Sequence, residues 1–432
     1  MTSRALRIDT ALKALPDADD LAPLREALLG AWRADAGLGW ADAEAYATVE
    51  TRLADPAGVE AQIGALADRV RARVEEVMRH AVRSLHALQA GDPAEAARHL
   101  VAAGEVQERA RRLEEAERYF ERALELGRKP RDRRAEGLAL RRLGRVARAR
   151  GDWPRAEKLY AQGYEVAVAQ RDVEGTVVAC QGLGNVNVDQ GRWDEARAWY
   201  LRGVEQCPPE PPSAEHVHLC NGLAVVERRL GDTDEAADWL SLAGEGARAL
   251  EDEGLLGYID NGWGMLELAR GTPARAEAAF RRALARALDP FARTTVTANL
   301  AEPLLRQGRH REAQAAAREA EALALHHRAV LRLPDVYRVL GMVAGARRDP
   351  EGFVFFEQAL EICRRHRLPP FEAAVTQHHY GRFQAALGDV EPAAARLREA
   401  RRMYDEIGAR MDAGAAAAEL AALDAPEDDT TG

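Results

Sequence analysis

Between residues 97 and 412 the chain reads as one helix-length apolar pattern after another, each closed by a glycine and reopened by a polar helix start. Gly151 opens GDWPRAEKLY, Gly191 opens GRWDEARAWY, Gly231 opens GDTDEAADWL and Gly271 opens GTPARAEAAF, at intervals of 40 residues. Gly308 opens GRHREAQAAA after 37, and Gly388 opens GDVEPAAARL. Between these two lies a unit without the glycine, RRDPEGFVFFEQAL near Arg348. Upstream, Arg112 stands in the glycine place of RLEEAERYFERAL, 39 residues before Gly151. The pattern predicts eight units of two helices each. Glycine ends a helix because it reaches positive φ at little cost. Asp, Thr or Pro followed by acids starts the next helix at the positive end of its dipole. No stretch alternates with period two, so no sheet is predicted.

The recurring positions say how the units pack. Seven residues before the turn comes a small residue: Gly144, Gly184, Ala224, Gly264, Ala301 and Gly381. Five after it stands Ala, as at Ala156, Ala196, Ala236, Ala276, Ala313 and Ala393. Nine after it the residue is usually large: Tyr160, Tyr200, Leu240, Phe280 and Leu397. Twelve after it is small again, from Gly163 and Gly203 to Ala400. Small positions let helices approach, and large ones fill the space between hairpins. One hairpin cannot bury its own face, so the core must come from stacking.

This Leu-Gly, Ala, aromatic, Ala order resembles the tetratricopeptide repeat family over roughly three quarters of the chain. The resemblance implies an all-α fold, a right-handed α-α superhelical solenoid of stacked antiparallel helix hairpins. The family unit is about 34 residues. The longer spacing here resembles the repeat arms of bacterial regulatory and signalling proteins. HEAT repeats share the length but not the order of residues. The expected organisation is a helical cap or degenerate repeats over 1–96, with helices near 20–34, 40–53 and 58–90. Eight repeats follow over 97–412, then a short capping helix and an acidic, disordered tail over 413–432.

Composition adds limits. The chain is 47% apolar and 30% charged, enough to build a core. A net charge of -10 argues against a general nucleic-acid coat, so no direct nucleic-acid partner is expected. Lys13, Lys129 and Lys158 are the only lysines, so nearly every cation is Arg, as GC-rich codon usage would also give. Cys180, Cys207, Cys220 and Cys363 form no CxxC pair and read as small apolar residues of a reducing compartment. The first twenty residues carry acids and no apolar run, and nowhere do 18 apolar residues follow one another. A cytoplasmic protein with no membrane partner is expected.

Catalytic signatures are missing. There is no phosphate-binding GxxxxGK[ST], no HExxH, no zinc-spaced Cys/His set and no GxSxG. The pairs His326-His327 and His378-His379 are adjacent on helices, about 100° apart, so they rarely share one ion. The reading is a non-enzyme without metal or cofactor.

In the family, the first helix of each unit lines the concave face. Counting back about ten, six and three residues from each turn carries that groove onto this chain. It selects Arg141, Arg145 and Arg148, which form one stripe at i, i+4 and i+7. It goes on to Gln181 and Asn185, then His218, Asn221 and Arg228, then Tyr258 and Asn261. Asn299, Tyr337 and Arg338 follow, with His378 and Arg382 last. Glu302 is the one acid met on the way. Asn amides hold a peptide main chain and Arg forks a carboxylate. The expected function is a non-enzymatic scaffold or adaptor that takes a protein or peptide segment, of acidic character, in the groove. The alternative is a regulator that senses a peptide or small molecule and acts through a partner. Oligomeric state is not legible.

Overall fold

The computed structural model describes residues 72–424, except 74–75, 78, 111, 129–132, 208–211, 287 and 328. The helices expected near 20–34 and 40–53, most of that near 58–90 and the tail after Asp424 lie outside the described residues. The chain divides at Ala72/Arg73 into two units, and every helix named below belongs to the second.

A helical stretch over 79–89 leads into seventeen α-helices. They are α1 (Pro93–Arg109), α2 (Leu113–Gly127), α3 (Arg134–Ala149), α4 (Trp153–Ala169), α5 (Val173–Asp189), α6 (Trp193–Gln206), α7 (Ala214–Leu230) and α8 (Thr233–Ala249). Then come α9 (Glu253–Ala269), α10 (Pro273–Leu284), α11 (Pro290–Arg306), α12 (His310–His326), α13 (Leu333–Ala346), α14 (Glu351–Arg365), α15 (Pro370–Leu387), α16 (Val390–Ile407) and α17 (Arg410–Asp424). Among the described residues there is no strand. The fold is an all-α solenoid. Each odd helix pairs with the even helix after it, and successive odd helices also touch, while successive even helices make no comparable contact. The odd helices are therefore the tight, inner layer.

The turns follow from local chemistry. Gly151, Gly191, Gly231, Gly271, Gly308 and Gly388 all have positive φ, between 73° and 101°. Arg348, in the unit without glycine, is forced to φ 52°. Asp152 and Asp232 then cap the next helix, accepting from the backbone N–H of Arg155 and Glu235. Arg112 does not take the glycine's place. It is the N-cap of α2, where Asp152 stands in α4. Counting from position 111 instead puts Gly104, Ala116 and Phe120 on the columns of the other units.

The small and large columns meet inside each hairpin. A methyl group added at Gly104, Gly184, Gly264 or Gly341 would collide with Phe120, Tyr200, Phe280 or Phe356. A second glycine column, nine before the turn, closes on the same rings from the next hairpin: Gly182 onto Tyr160, and Gly222 onto Tyr200. Tyr160 and Tyr200 are thus gripped from both sides. Phe120, Phe280 and Phe356, each closed by one glycine, are completely buried.

The solenoid also meets itself. Trp193, at the start of α6, lies edge-on to Phe371 of α15 with ring centroids 5.0 Å apart. The Arg229 guanidinium sits 5.6 Å from the Trp193 ring and 5.0 Å from the Phe371 ring. Its Nη1 is 3.5 Å from Asp412 of α17, a residue 183 positions away.

Candidate ligand channel

The inner wall is made by the odd helices, and the fifteen groove residues divide by what they touch. On α3, Arg141 is buried with Nη1 3.7 Å from Asp172. Arg145 pairs with Glu108 of α1. Arg148 reaches Asp189 of α5, with Nη2 3.0 Å from Oδ1. Burial opposes the charge on Arg148, and Asp189 more than restores it, so its pKa rises.

The far end is similarly occupied. Arg338 on α13 donates from Nη2 to Asp335 at 2.6 Å and lies 3.6 Å from Glu372. Burial, and then the neighbouring Asp335, push the Glu372 carboxyl up. Arg382 on α15 donates from Nε to Glu419 of α17 at 2.8 Å, and His378 Nε2 lies 3.1 Å from the same carboxylate. Burial alone would raise the Glu419 pKa, but the bonds from His378 and Arg382 hold it down at about 2.

The middle differs. Asn185 on α5 accepts from the Tyr200 hydroxyl at 2.8 Å, and its NH2 group has no partner among the described residues. On α7 the Asn221 carbonyl oxygen is buried and unbonded. Arg228, seven residues further along the same helix, has no ion pair among the described residues. Burial first, then the adjacent Arg229, draws its pKa down to about 9. An arginine stays protonated at neutral pH, so the shift measures the cost of that charge. Gln181 is half-buried on α5.

Other members of the set serve the wall itself. The Asn299 amide donates to the Asn261 carbonyl at 3.0 Å, which ties α11 to α9. Tyr258 donates to Asp289, and its ring meets His218 edge-on at 6.3 Å. Burial lowers the His218 pKa. Tyr337 stacks on Phe355, with ring planes 17° apart.

Sequence reasoning missed the acids. Glu108, Asp189, Asp335, Glu372 and Glu419 sit beside the groove columns and take up most of its cations. A signal existed: Arg145, Arg148 and Arg382 lie 37, 41 and 37 residues from their partners, about one unit. The glycines nine before the turn were missed too, although Gly182, Gly222 and Gly262 recur every 40 residues. The rings of His326 and His327 meet edge-on at 4.7 Å. No group of three His, Cys, Asp or Glu side chains is placed to hold a metal among the described residues. No described helix is long and apolar enough to cross a membrane.

Comparison with known proteins agrees with this architecture. Tetratricopeptide repeat models match residues 95–169 and 182–211. No curated protein matches the sequence. Among solved structures, a Rap protein complexed with Competence and Sporulation Factor is similar over 79% of this chain and 99% of its own, at 15% identity and a TM-score of 0.59. The Rap conjugation gene regulator of the plasmid pLS20, solved with a Phr peptide, is similar over 65% of this chain and 77% of its own. There the identity is 10% and the TM-score 0.51. At such identities the likeness is one of fold.

Proposed function

The chain is a tetratricopeptide repeat protein, and from that premise we propose that it binds an extended peptide segment in the middle of its channel. The observation that supports this is on α7. Asn221 and Arg228 are spaced i, i+7 on one helix face, and neither the Asn221 carbonyl nor the Arg228 guanidinium has a partner among the described residues. Unsatisfied polar groups in a wall are costly unless something else completes them. One carboxylate completes Arg228, and a peptide N–H completes Asn221 once its amide turns from Gly262 of α9 toward the channel. The free amide of Asn185 adds a donor for a peptide carbonyl. A heavily acidic partner is a poorer fit, because Arg145, Arg148, Arg338 and Arg382 already hold acids.

Two roles suit such a site. As a scaffold, the protein holds a partner by a segment. As a sensor, it reads a free peptide and passes the change to another protein. The two solved neighbours, one complexed with Competence and Sporulation Factor and one with a Phr peptide, favour the second. The test is selection from a displayed random-peptide library on wild type beside Asn221→Ala/Arg228→Met. Peptides carrying one acid and retained by wild type alone are expected. Equal enrichment on both proteins would sink the proposal.

A further inference from the structure

The two passes of the solenoid meet along the turn edge, where later residues lie against Gly191 and Gly231. At three turns the residue before the positive-φ position is an arginine reaching back one unit: Arg150 to Glu117, Arg270 to Asp234, Arg347 to Gln314. At Gly191 and Gly231 that place holds Gln190 and Leu230. These are turns the later helices cover. Side chains of Phe371 and Ile407 lie against Gly191, and Met411 lies against Gly231. Leu230 packs into the same cluster as Trp193, Phe371 and Tyr404. No arginine stands before the glycine at the two turns that Phe371, Ile407 and Met411 cover.

The seam is thin. Met411 touches Gly231 yet remains 56% exposed. Its ionic element is the partly buried Arg229–Asp412 pair at 3.5 Å. Arg229 is also the chain neighbour of Arg228. The two occupy the last turn of α7, about 100° apart, so one turn presents one cation to the channel and the other to the seam.

We infer that the seam is a latch that gates lateral access to the channel, and that the last turn of α7 couples it to the ligand. The coupling rests on the peptide reading above; the latch does not. An anion on Arg228 shifts the turn that also holds Arg229 against Asp412. Opening the latch separates the two passes and widens the channel; closing it encloses the ligand.

The test needs no ligand. Asp412→Arg places two arginines face to face across the seam, and Arg229→Asp/Asp412→Arg restores the pair in reverse. Solution scattering is expected to give a larger radius of gyration for the single variant, at unchanged helicity, and the wild-type value for the double. A cysteine introduced by Asn221→Cys reports access, read with a maleimide bearing a polyethylene glycol chain, against the same proteins without it. Labelling of a protected group tracks the open population, so Asp412→Arg is expected to speed it by about tenfold or more. The double variant returns it to the slow rate. An unchanged radius in Asp412→Arg overturns the latch. A larger radius with unchanged labelling overturns the gate. Neither result touches peptide binding, which the library selection judges separately.

Discussion

The two ends of the channel and its middle are built from the same repeat, yet they treat charge in opposite ways. At the ends, Arg148 lies against Asp189, and Arg382 and His378 converge on Glu419. In the middle, Arg228 has no such partner and Asn221 keeps an unbonded carbonyl. The difference teaches that arginine in a concave wall is not by itself a sign of ligand binding. At the ends most arginines join neighbouring units; in the middle Arg228 is left without a carboxylate among the described residues.

Substitutions sharpen this contrast, and the largest effect belongs to the ends. Asp189→Asn leaves Arg148 without its carboxylate and is expected to cost about 2 kcal/mol, below the range for a broken fully buried pair because this one is partly exposed. Urea unfolding measures it, and a loss below half of that would mean the pair is merely a surface one. Glu419→Gln weakens the bonds from His378 and Arg382. A loss of about 2 kcal/mol is expected, as for hydrogen bonds to a charged group.

Acidity gives the third effect. Burial, helped by Arg338, holds His379 well below the ordinary histidine pKa, so it stays neutral in the folded chain. On acidification below about 6.5 the unfolded chain takes up that proton first. The stabilising contribution is therefore complete above about 6.5 and declines below it, by at most about 1.4 kcal/mol per pH unit. His379→Asn should flatten the slope of stability between pH 7 and 5; an unchanged slope would place the proton uptake on other histidines.

The smallest effect has the opposite sign. Arg228→Met removes a charge that the empty wall does not neutralise, and stability is expected to rise by about 1 kcal/mol. A fall on thermal or urea unfolding would show that the arginine is paired after all, and the contrast between middle and ends would collapse.

The hairpins were legible because their packing dictates residue type at fixed spacing. Only a small residue tolerates the ring opposite Gly184 or Gly264, so the column shows in one sequence. Helix edges were legible for the same reason, apart from α2, where no glycine marks the turn. The ion pairs were harder to see. They run sideways between helices one unit apart, and Glu or Asp at any of several neighbouring positions reaches an Arg equally well. The count back from each turn picks out Asn185, Asn221 and Arg145 alike, and what separates them lies in their surroundings. The seam had no local signal: Trp193 and Phe371 look like any core aromatic until the solenoid brings them together.

The central claim is that the middle of the channel binds and the ends hold the wall. The direct measurement is calorimetric titration of one library-selected peptide into three full-length proteins: wild type, Asn185→Ala/Asn221→Ala/Arg228→Met, and Arg145→Ala/Arg382→Ala. The account predicts a loss of about 100-fold or more for the first variant, roughly the sum of two or three hydrogen bonds with one to a charge. For the second it predicts a change within about threefold. Strong loss in the second variant with binding kept in the first would contradict it.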